Sequence, residues 1–285
     1  MNSSLRFFSF CLISSVGAAL AHGAVIFKTD FSASDGYSLG ALPGEHPDWT
    51  FSEGANTQWI VQADSTSPSA PSSLTSGRHP QSPSGGSNLL WISPRTSDVS
   101  AGQQATLTFA SDTNRLQEPF TLSFDVFASP TGGSGQSMTI NLSRANAITS
   151  TTAPQISFSS VNVDTFNLNV RSAGEWNNGV VTLDKATWLR FELSVNASES
   201  KVGTYTTSVY RLDGSGSVVE TLYTGQWDYD LSQGFDAMRI LTNSSRTDYW
   251  FDNITVSTAA IPEPKTASII LGAAVMAAAA GRRAR

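Results

Sequence analysis

Apolar and polar residues alternate strictly in many short runs of this chain, and this pattern constrains the fold more than any other feature. In residues 120–126, apolar side chains occupy every second position and polar ones such as Asp125 the positions between. Residues 188–195 repeat the pattern, with Arg190 on the polar face. A period of two with one polar face indicates antiparallel strands that are covered on one side by a second sheet. The same pattern marks further candidate strands at residues 105–110, 137–143, 161–170, 202–212, 217–223, 235–241 and 249–257.

These runs predict an all-β domain over residues 25–258. About ten to twelve strands, separated by turns rich in Gly, Asn, Asp and Ser, fit one antiparallel two-sheet β-sandwich of the jelly-roll type. Residues 62–88 depart from the alternation, since they are dense in Ser, Pro, Thr and Gly. Such a composition cannot bury enough apolar surface to order a core, so this segment is predicted to be a long surface loop.

The composition excludes several classes of protein. The chain has 285 residues, of which 40% are hydrophobic and 14% charged, and its formal net charge is −6. Five basic residues and one acidic residue lie in the terminal segments, so the body carries 17 − 5 = 12 basic and 23 − 1 = 22 acidic residues. The hydrophobic content excludes a disordered chain, and an acidic body lacks the basic surface that nucleic acids require.

The N-terminus has the three parts of a secretory signal peptide. Arg6 supplies a positive charge, an apolar run follows, and small residues precede a cleavage site after Ala21, with a site after Ala24 as the alternative. We therefore expect residues 1–21 to direct the chain to the Sec translocon and then to be removed. Cys11, the only cysteine, lies in this segment, so the mature chain can form no disulfide.

The C-terminal segment, residues 261–285, also has three parts. An extended, proline-flanked motif comes first, an apolar run at residues 266–281 follows, and a basic cluster closes the chain. As a helix the run would span about 24 Å, slightly less than the hydrocarbon core of a bilayer, and the terminal arginines would lie on the cytoplasmic side. The motif and the cluster consist of Pro262, Glu263, Pro264, Arg282, Arg283 and Arg285.

This arrangement resembles the PEP-CTERM sorting signal of exported bacterial proteins. The resemblance covers about the last twenty-five residues and implies that an exosortase, a membrane-embedded cysteine protease, recognises Pro262-Glu263-Pro264 and removes the helix. Before processing, residues 266–281 would anchor the chain in the membrane, and afterwards it would be at the cell surface or outside the cell. The alternative is a plain tail anchor behind a proline-rich linker, which obeys the same membrane physics.

Asp252 stands out because alternation from Trp250 places it on one face with Ile254 and Val256. A carboxylate in an apolar row must be paired, bound to a metal or protonated if it is buried. The other interpretation places Asp252 at the rim of the sheet, where water or backbone amides satisfy it.

The first and last candidate strands resemble those of concanavalin A-like, laminin-G-like jelly rolls. The matching strings are Thr29-Asp30-Phe31, Gly36-Tyr37-Ser38-Leu39-Gly40 with Trp49, and Phe251-Asp252-Asn253-Ile254-Thr255-Val256. In related carbohydrate-binding modules the equivalent aspartate helps to hold a structural Ca²⁺ with residues of the first strand. The resemblance therefore implies a calcium site at Asp30 and Asp252, and hard oxygen ligands suit that ion.

Two of the seven tryptophans lie in polar, turn-like surroundings and are candidates for stacking on sugar rings. They are Trp176, in Gly-Glu-Trp-Asn-Asn-Gly, and Trp227, in Gly-Gln-Trp-Asp-Tyr. Burial in the core is the competing interpretation, since aromatic side chains usually contribute their area there.

No catalytic residues are predicted. The sequence has no Gly-x-Ser-x-Gly motif, no phosphate-binding loop and no pair of glutamates two residues apart on a strand, which a jelly-roll glycosidase would show. We therefore expect a non-catalytic, exported component of the cell surface or extracellular matrix. The alternatives are a carbohydrate-binding module that grips an exopolysaccharide and, third, a glycan hydrolase or lyase.

Overall fold

The alternating runs form β-strands, with one short 3₁₀ helix at Ala33–Asp35. The computed structural model describes residues 24–42, 46–51, 57–63, 80–83, 88–94, 103–111, 115–130, 134–144, 153–196, 202–230, 234–242 and 247–258. Its strands are β1 (Val25–Thr29), β2 (Gly40–Ala41), β3 (Trp49–Phe51), β4 (Thr57–Ala63), β5 (Asn88–Pro94), β6 (Gln103–Thr108), β7 (Phe120–Ala128), β8 (Gly135–Ser143), β9 (Gln155–Ser160), β10 (Thr165–Ser172), β11 (Glu175–Asp184), β12 (Trp188–Asn196), β13 (Val202–Leu212), β14 (Val218–Asp230), β15 (Ala237–Thr242) and β16 (Tyr249–Thr258).

The strands pair into two antiparallel sheets. Sheet A has nine strands in the order β14-β13-β12-β7-β16-β5-β4-β2, and β1 also pairs with β16. Sheet B has seven strands in the order β11-β10-β9-β8-β15-β6-β3. The predicted all-β, two-sheet antiparallel sandwich is confirmed.

The core lies between the sheets and is made of the apolar residues of each alternating strand. Phe124 of β7 and Phe191 of β12 are fully buried, and their rings stack with centroids 5.6 Å apart. Phe158 of sheet B contacts Phe191 across the core at 5.0 Å. These contacts leave the alternate residues of each strand on the outer faces of the sandwich, where the polar side chains collect.

A second buried cluster lies on the outer face of sheet A and was not predicted. It consists of Leu89, Trp188, Leu212 and Trp250, with Trp91 and Phe127 packed against it. Residues 80–83 cover this cluster, and the indole N–H of Trp188 donates to the Gln81 carbonyl at 2.7 Å. The prediction of one long surface loop at residues 62–88 is therefore wrong in part: Ser82 is buried, and residues 62, 63 and 88 belong to β4 and β5. Local composition does not reveal such packing, because a short proline-containing segment can be buried by docking on an existing sheet.

The described residues form sixteen strands, more than the ten to twelve predicted, and two of them, β2 and β3, have only two and three residues. The predicted signal peptide, residues 1–21, and the predicted sorting signal, residues 261–285, lie outside the described residues. Among the described residues, no helix has the length and apolar character needed to cross a membrane.

Candidate functional site

A β-bulge in β16 decides where Asp252 points. The pairing of β16 with β7 shifts between Asp252 and Thr255, and Asn253 has a left-handed φ of 50°. β16 therefore has one residue more than β7 between these two pairs. Beyond the bulge, the positions that face the core and those that face outward are exchanged relative to strict alternation. The prediction that Asp252 shares a face with Ile254 and Val256 is thus wrong, because those two residues are buried in the core while Asp252 lies on the outer face of sheet A.

Asp252 is nevertheless fully buried, because residues 80–83 lie over it. Its Oδ2 accepts a hydrogen bond from the Ser82 hydroxyl at 2.6 Å, and its Oδ1 accepts one from the Asn253 backbone N–H at 2.8 Å. Neutral donors thus satisfy a buried carboxylate on the outside of the sheet.

Asp125 of β7 stands directly opposite Asp252 and forms an ion pair with Arg190 of β12. The pair is bidentate: Nε donates to Oδ1 at 2.7 Å and Nη2 donates to Oδ2 at 2.9 Å. Asn253 Nδ2 donates to the same Oδ2 at 2.9 Å. The hydrogen bonds to Asp125 raise the pKa of Arg190, so the guanidinium is locked in its charged form.

Asp30 and Asp252, the predicted calcium ligands, each accept hydrogen bonds from nearby groups. Asp30 Oδ1 accepts from the Ser32 backbone N–H at 3.0 Å, which is a local contact within its own turn. The Ser32 N–H bonds to Asp30, whereas the Ser82 hydroxyl and the Asn253 N–H bond to Asp252. In the part of the chain that the structure describes, no three His, Cys, Asp or Glu side chains come together in a metal-binding group. Calcium bound at Asp30 and Asp252 stays an untested prediction.

The outer face of sheet B carries a row of polar residues at matching register, which we call the polar row. Arg239 faces Thr106 and Asn141, Asn141 faces Gln155, and Arg171 faces Trp176. Gln155 and Arg171 are joined because Arg171 Nη1 donates to Gln155 Oε1 at 3.1 Å. The polar row thus runs, from β6 to β11, through Thr106, Arg239, Asn141, Gln155, Arg171 and Trp176.

Most of the polar row is buried, and only its β10–β11 end is accessible. Arg239 is 3% exposed, and burial lowers the pKa of its guanidinium. Asn141 and Gln155 are also buried, whereas Arg171 and Trp176 are half-buried. A ligand on this face would meet the Arg171–Trp176 end first.

Arg171 and Trp176 are held together by a tight turn. Ala173 and Gly174 both have positive φ, at 48° and 94°, as a hairpin turn that matches the twist of the strands requires. Arg171 Nε donates to the Gly174 carbonyl at 2.9 Å, and its guanidinium lies over the Trp176 ring at 5.4 Å from the centroid. The pair is a cation–π contact whose two members are fixed before any ligand binds.

The two predicted stacking tryptophans have different environments. Trp176 does follow a turn, but it lies in β11. Trp227 does not lie in a turn: it belongs to β14, faces Tyr205 of β13, and packs half-buried against the core. The polar neighbours of Trp227 in sequence are outward residues of an edge strand, a pattern that resembles a turn when read locally.

Sequence reasoning missed Arg190, Asn253 and Arg239. Alternation did place Asp125 and Arg190 on polar faces, and this was the only indication in the sequence that they could meet. Their pairing depends on the register between β7 and β12, and no local pattern encodes that register.

No family model and no curated protein matches this chain. Among solved structures, a carbohydrate esterase of the Shiga toxin-encoding bacteriophage phi24B is 10% identical, with 83% of this chain and 99% of that chain covered and a TM-score of 0.48. An endo-β-1,4-glucuronan lyase of Trichoderma reesei is 9% identical, with 83% and 96% covered and a TM-score of 0.44. A marine alginate lyase of Aplysia kurodai is 11% identical, with 82% and 99% covered and a TM-score of 0.45. Since these TM-scores are below 0.5, no property of those proteins is transferred to this chain.

Proposed function

We propose that this chain is an exported bacterial protein of the cell surface or extracellular matrix whose jelly-roll domain binds an exopolysaccharide without cleaving it. The observation that carries the proposal is the Arg171–Trp176 pair at the accessible end of the polar row. The guanidinium of Arg171 covers one face of the Trp176 ring, so the opposite face is the apolar surface that would stack on the C–H face of a sugar, and the guanidinium supplies N–H donors to its hydroxyls.

The polar side chains next to the polar row support this site because they are ordered by one another. Asn169, on the next outward row, donates through Nδ2 to the hydroxyls of Ser157 at 3.1 Å and Ser159 at 2.7 Å, and its Oδ1 accepts from the Gly179 N–H at 2.8 Å. Prior ordering reduces the side-chain entropy that binding costs.

A binding role, as opposed to a cleaving one, is supported by the environment of the carboxylates. Glycoside hydrolysis requires two carboxyl groups that flank one bond and exchange protons with it. Asp125 and Asp252 are neighbours, yet both are fully buried and engaged by Arg190, Ser82 and Asn253. Among the described residues, this pair therefore does not offer a free general acid and base.

Variants at the two predicted tryptophans test the binding site. Trp176→Ala should lower retention of the full chain on its polysaccharide by about tenfold or more, because an aromatic anchor and its cation–π partner are lost together. Trp227→Phe is the matched control, since it preserves an aromatic ring on the core side, and retention should stay within about twofold.

An array of neutral and uronate-containing polysaccharides identifies the ligand for this test. Absence of binding by the native chain to every polysaccharide, or equal retention of native and Trp176→Ala chains, would overturn the proposal. Shortening of the bound polysaccharide during incubation would contradict the non-cleaving role and favour the hydrolase or lyase alternative.

The sorting part of the proposal rests on Pro262-Glu263-Pro264, residues 266–281 and the terminal arginines. Residues 259–285, fused to an unrelated secreted reporter in a host that has an exosortase, should direct removal of the hydrophobic segment. A fusion in which residues 262–264 are all alanine is the control and should stay uncut. A native fusion that keeps its hydrophobic end would overturn exosortase processing and leave a plain tail anchor.

A further inference from the structure

A small polar pocket opens on the outer face of sheet A, on the opposite side of the sandwich from the polar row. Its volume is about 320 Å³, at the lower end of the range of roughly 300–1,000 Å³ that small-molecule sites occupy. The pocket, which we call the sheet A pocket, is lined by Ser123, Arg190, Ser215, Gly216, Asn253 and Thr255.

The floor of the sheet A pocket is built by the β16 bulge. The bulge lets Asn253 reach the outer face, where its Nδ2 is bound to Asp125, and it also returns Thr255 to that face opposite Ser123. The guanidinium of Arg190 is fixed by the same carboxylate of Asp125. The floor is thus ordered before a ligand enters.

One wall of the pocket comes from the turn between β13 and β14, which is also ordered. Asp213 Oδ1 accepts from the Ser215 N–H at 2.8 Å, the Ser215 hydroxyl at 2.7 Å and the Ser217 N–H at 3.0 Å. Gly216 packs against residues 80–83, and a Cβ on it would lie 2.5 Å from the Pro83 carbonyl oxygen. The wall therefore has a set position over the sheet.

The charges around the pocket disfavour ions of either sign. Asp125 and Asp252 lie buried behind the lining, Asp213 holds the turn of the wall, and Glu192 is the next outward residue after Arg190 on β12. The cations are Arg190, which is paired with Asp125, and Lys28, which stands opposite Thr255 on β1. Four carboxylates against two cations disfavour an anionic ligand, while the guanidinium at the lining disfavours a cation. What the lining offers is three hydroxyls, one amide and N–H donors, which are the partners of a neutral polyol.

We propose that the sheet A pocket binds one neutral pyranose unit, either a free sugar or the terminal unit of a glycan chain. This site is separate from the Arg171–Trp176 pair and does not depend on it. Its occupant hydrogen-bonds to Ser123, Thr255 and Asn253, with Arg190 as a further donor.

Titration of the full chain with methyl glucoside, galactoside and mannoside, followed by NMR, tests this site. At least one hexoside should shift the backbone signals of Ser123, Asn253 and Thr255, with a dissociation constant of about 0.1–10 mM because so small a ligand makes few contacts. The corresponding uronate should bind at least about tenfold more weakly, since the carboxylates repel it. An oligosaccharide with the same terminal unit distinguishes a chain end from a free sugar as the natural ligand. If it binds at least as tightly as the hexoside, the pocket accepts a chain end; if it does not bind, the pocket accepts a free sugar.

Ser123→Phe fills the pocket and should weaken hexoside binding by about tenfold or more. Ser194→Phe, on the outer face of β12 but outside the pocket lining, is the matched control and should bind as the native chain does. If Ser123→Phe does not fold, Thr255→Val, which keeps the shape and removes one hydroxyl, should still weaken binding several-fold.

Absence of shifts at the pocket residues with all three hexosides, or equal binding of the uronate, would overturn the proposal. So would equal loss in Ser123→Phe and Ser194→Phe. Trp176→Ala should leave hexoside binding at the sheet A pocket unchanged. A negative result for one proposed site therefore does not count against the other.

Discussion

Arg190 of β12 and Asp125 of β7 form a bidentate ion pair on the outer face of sheet A, with N···O distances of 2.7 and 2.9 Å. Asp125 is fully buried, whereas the Arg190 side chain is 26% exposed. The same carboxylate holds Asn253, so this pair organises the floor of the sheet A pocket.

Asp125→Asn should lower the free energy of unfolding by about 2–4 kcal/mol, because it leaves the half-buried Arg190 guanidinium without its counter-charge. Glu192→Gln, on the same face as Arg190, is the control and should change stability by less than about 0.5 kcal/mol. Urea unfolding of the three chains measures the difference. Equal losses in the two variants would contradict a specific role for the ion pair.

Gly216→Ala should destabilise the fold by about 1–3 kcal/mol and weaken hexoside binding at the sheet A pocket. The φ of Gly216 is 76°, and its new Cβ would lie against the Pro83 carbonyl. Gly214→Ala, two residues away in the same turn, is the control, since a Cβ there meets nothing within 4 Å. The melting temperatures of both variants distinguish a required glycine from a turn that tolerates any residue.

Lys185 should make stability depend on pH in the alkaline range. Its ammonium is buried against the hydroxyls of Ser160 and Thr247 and the carbonyl of Asn162, and burial lowers its pKa below the ordinary 10.5 despite attraction to Asp164. Between the lowered pKa and 10.5 the unfolded chain binds more protons, so the free energy of unfolding rises with pH in that window.

The comparison of native and Lys185→Met chains isolates this effect, because all other titrating groups are common to both. The stability of the native chain relative to Lys185→Met should increase as the pH rises towards 10.5. Parallel stability curves for the two chains in urea unfolding would show that Lys185 has an ordinary pKa.

Chelation tests the calcium site predicted at Asp30 and Asp252. If this site holds a structural calcium ion, EDTA should lower the melting temperature by several degrees and added Ca²⁺ should restore it. An unchanged melting temperature would contradict the site and leave Ser82 and Asn253 as the partners of the Asp252 carboxylate. Magnesium added in place of calcium is the control for ionic strength.

The sequence predicted more of the fold than of the candidate site. The strands β7 and β12 and the polar faces that carry Asp125 and Arg190 were predicted from alternation alone. Trp176 was predicted as a ligand residue, and the structure places it beside Arg171, although the ligand role stays a prediction. Trp227 was misplaced because an edge strand with polar outward residues has the composition of a turn.

The sequence by itself determined that this domain is a two-sheet sandwich, because successive side chains of a strand point to opposite faces in any tertiary context. Only the tertiary structure decided which polar residues meet. One extra residue at Asn253 reversed the parity of β16 and turned Asp252 away from Ile254. Residues 80–83 then docked over that face and buried it. Register, bulges and docking depend on contacts between segments far apart in the chain, and a local pattern of alternation contains no information about them.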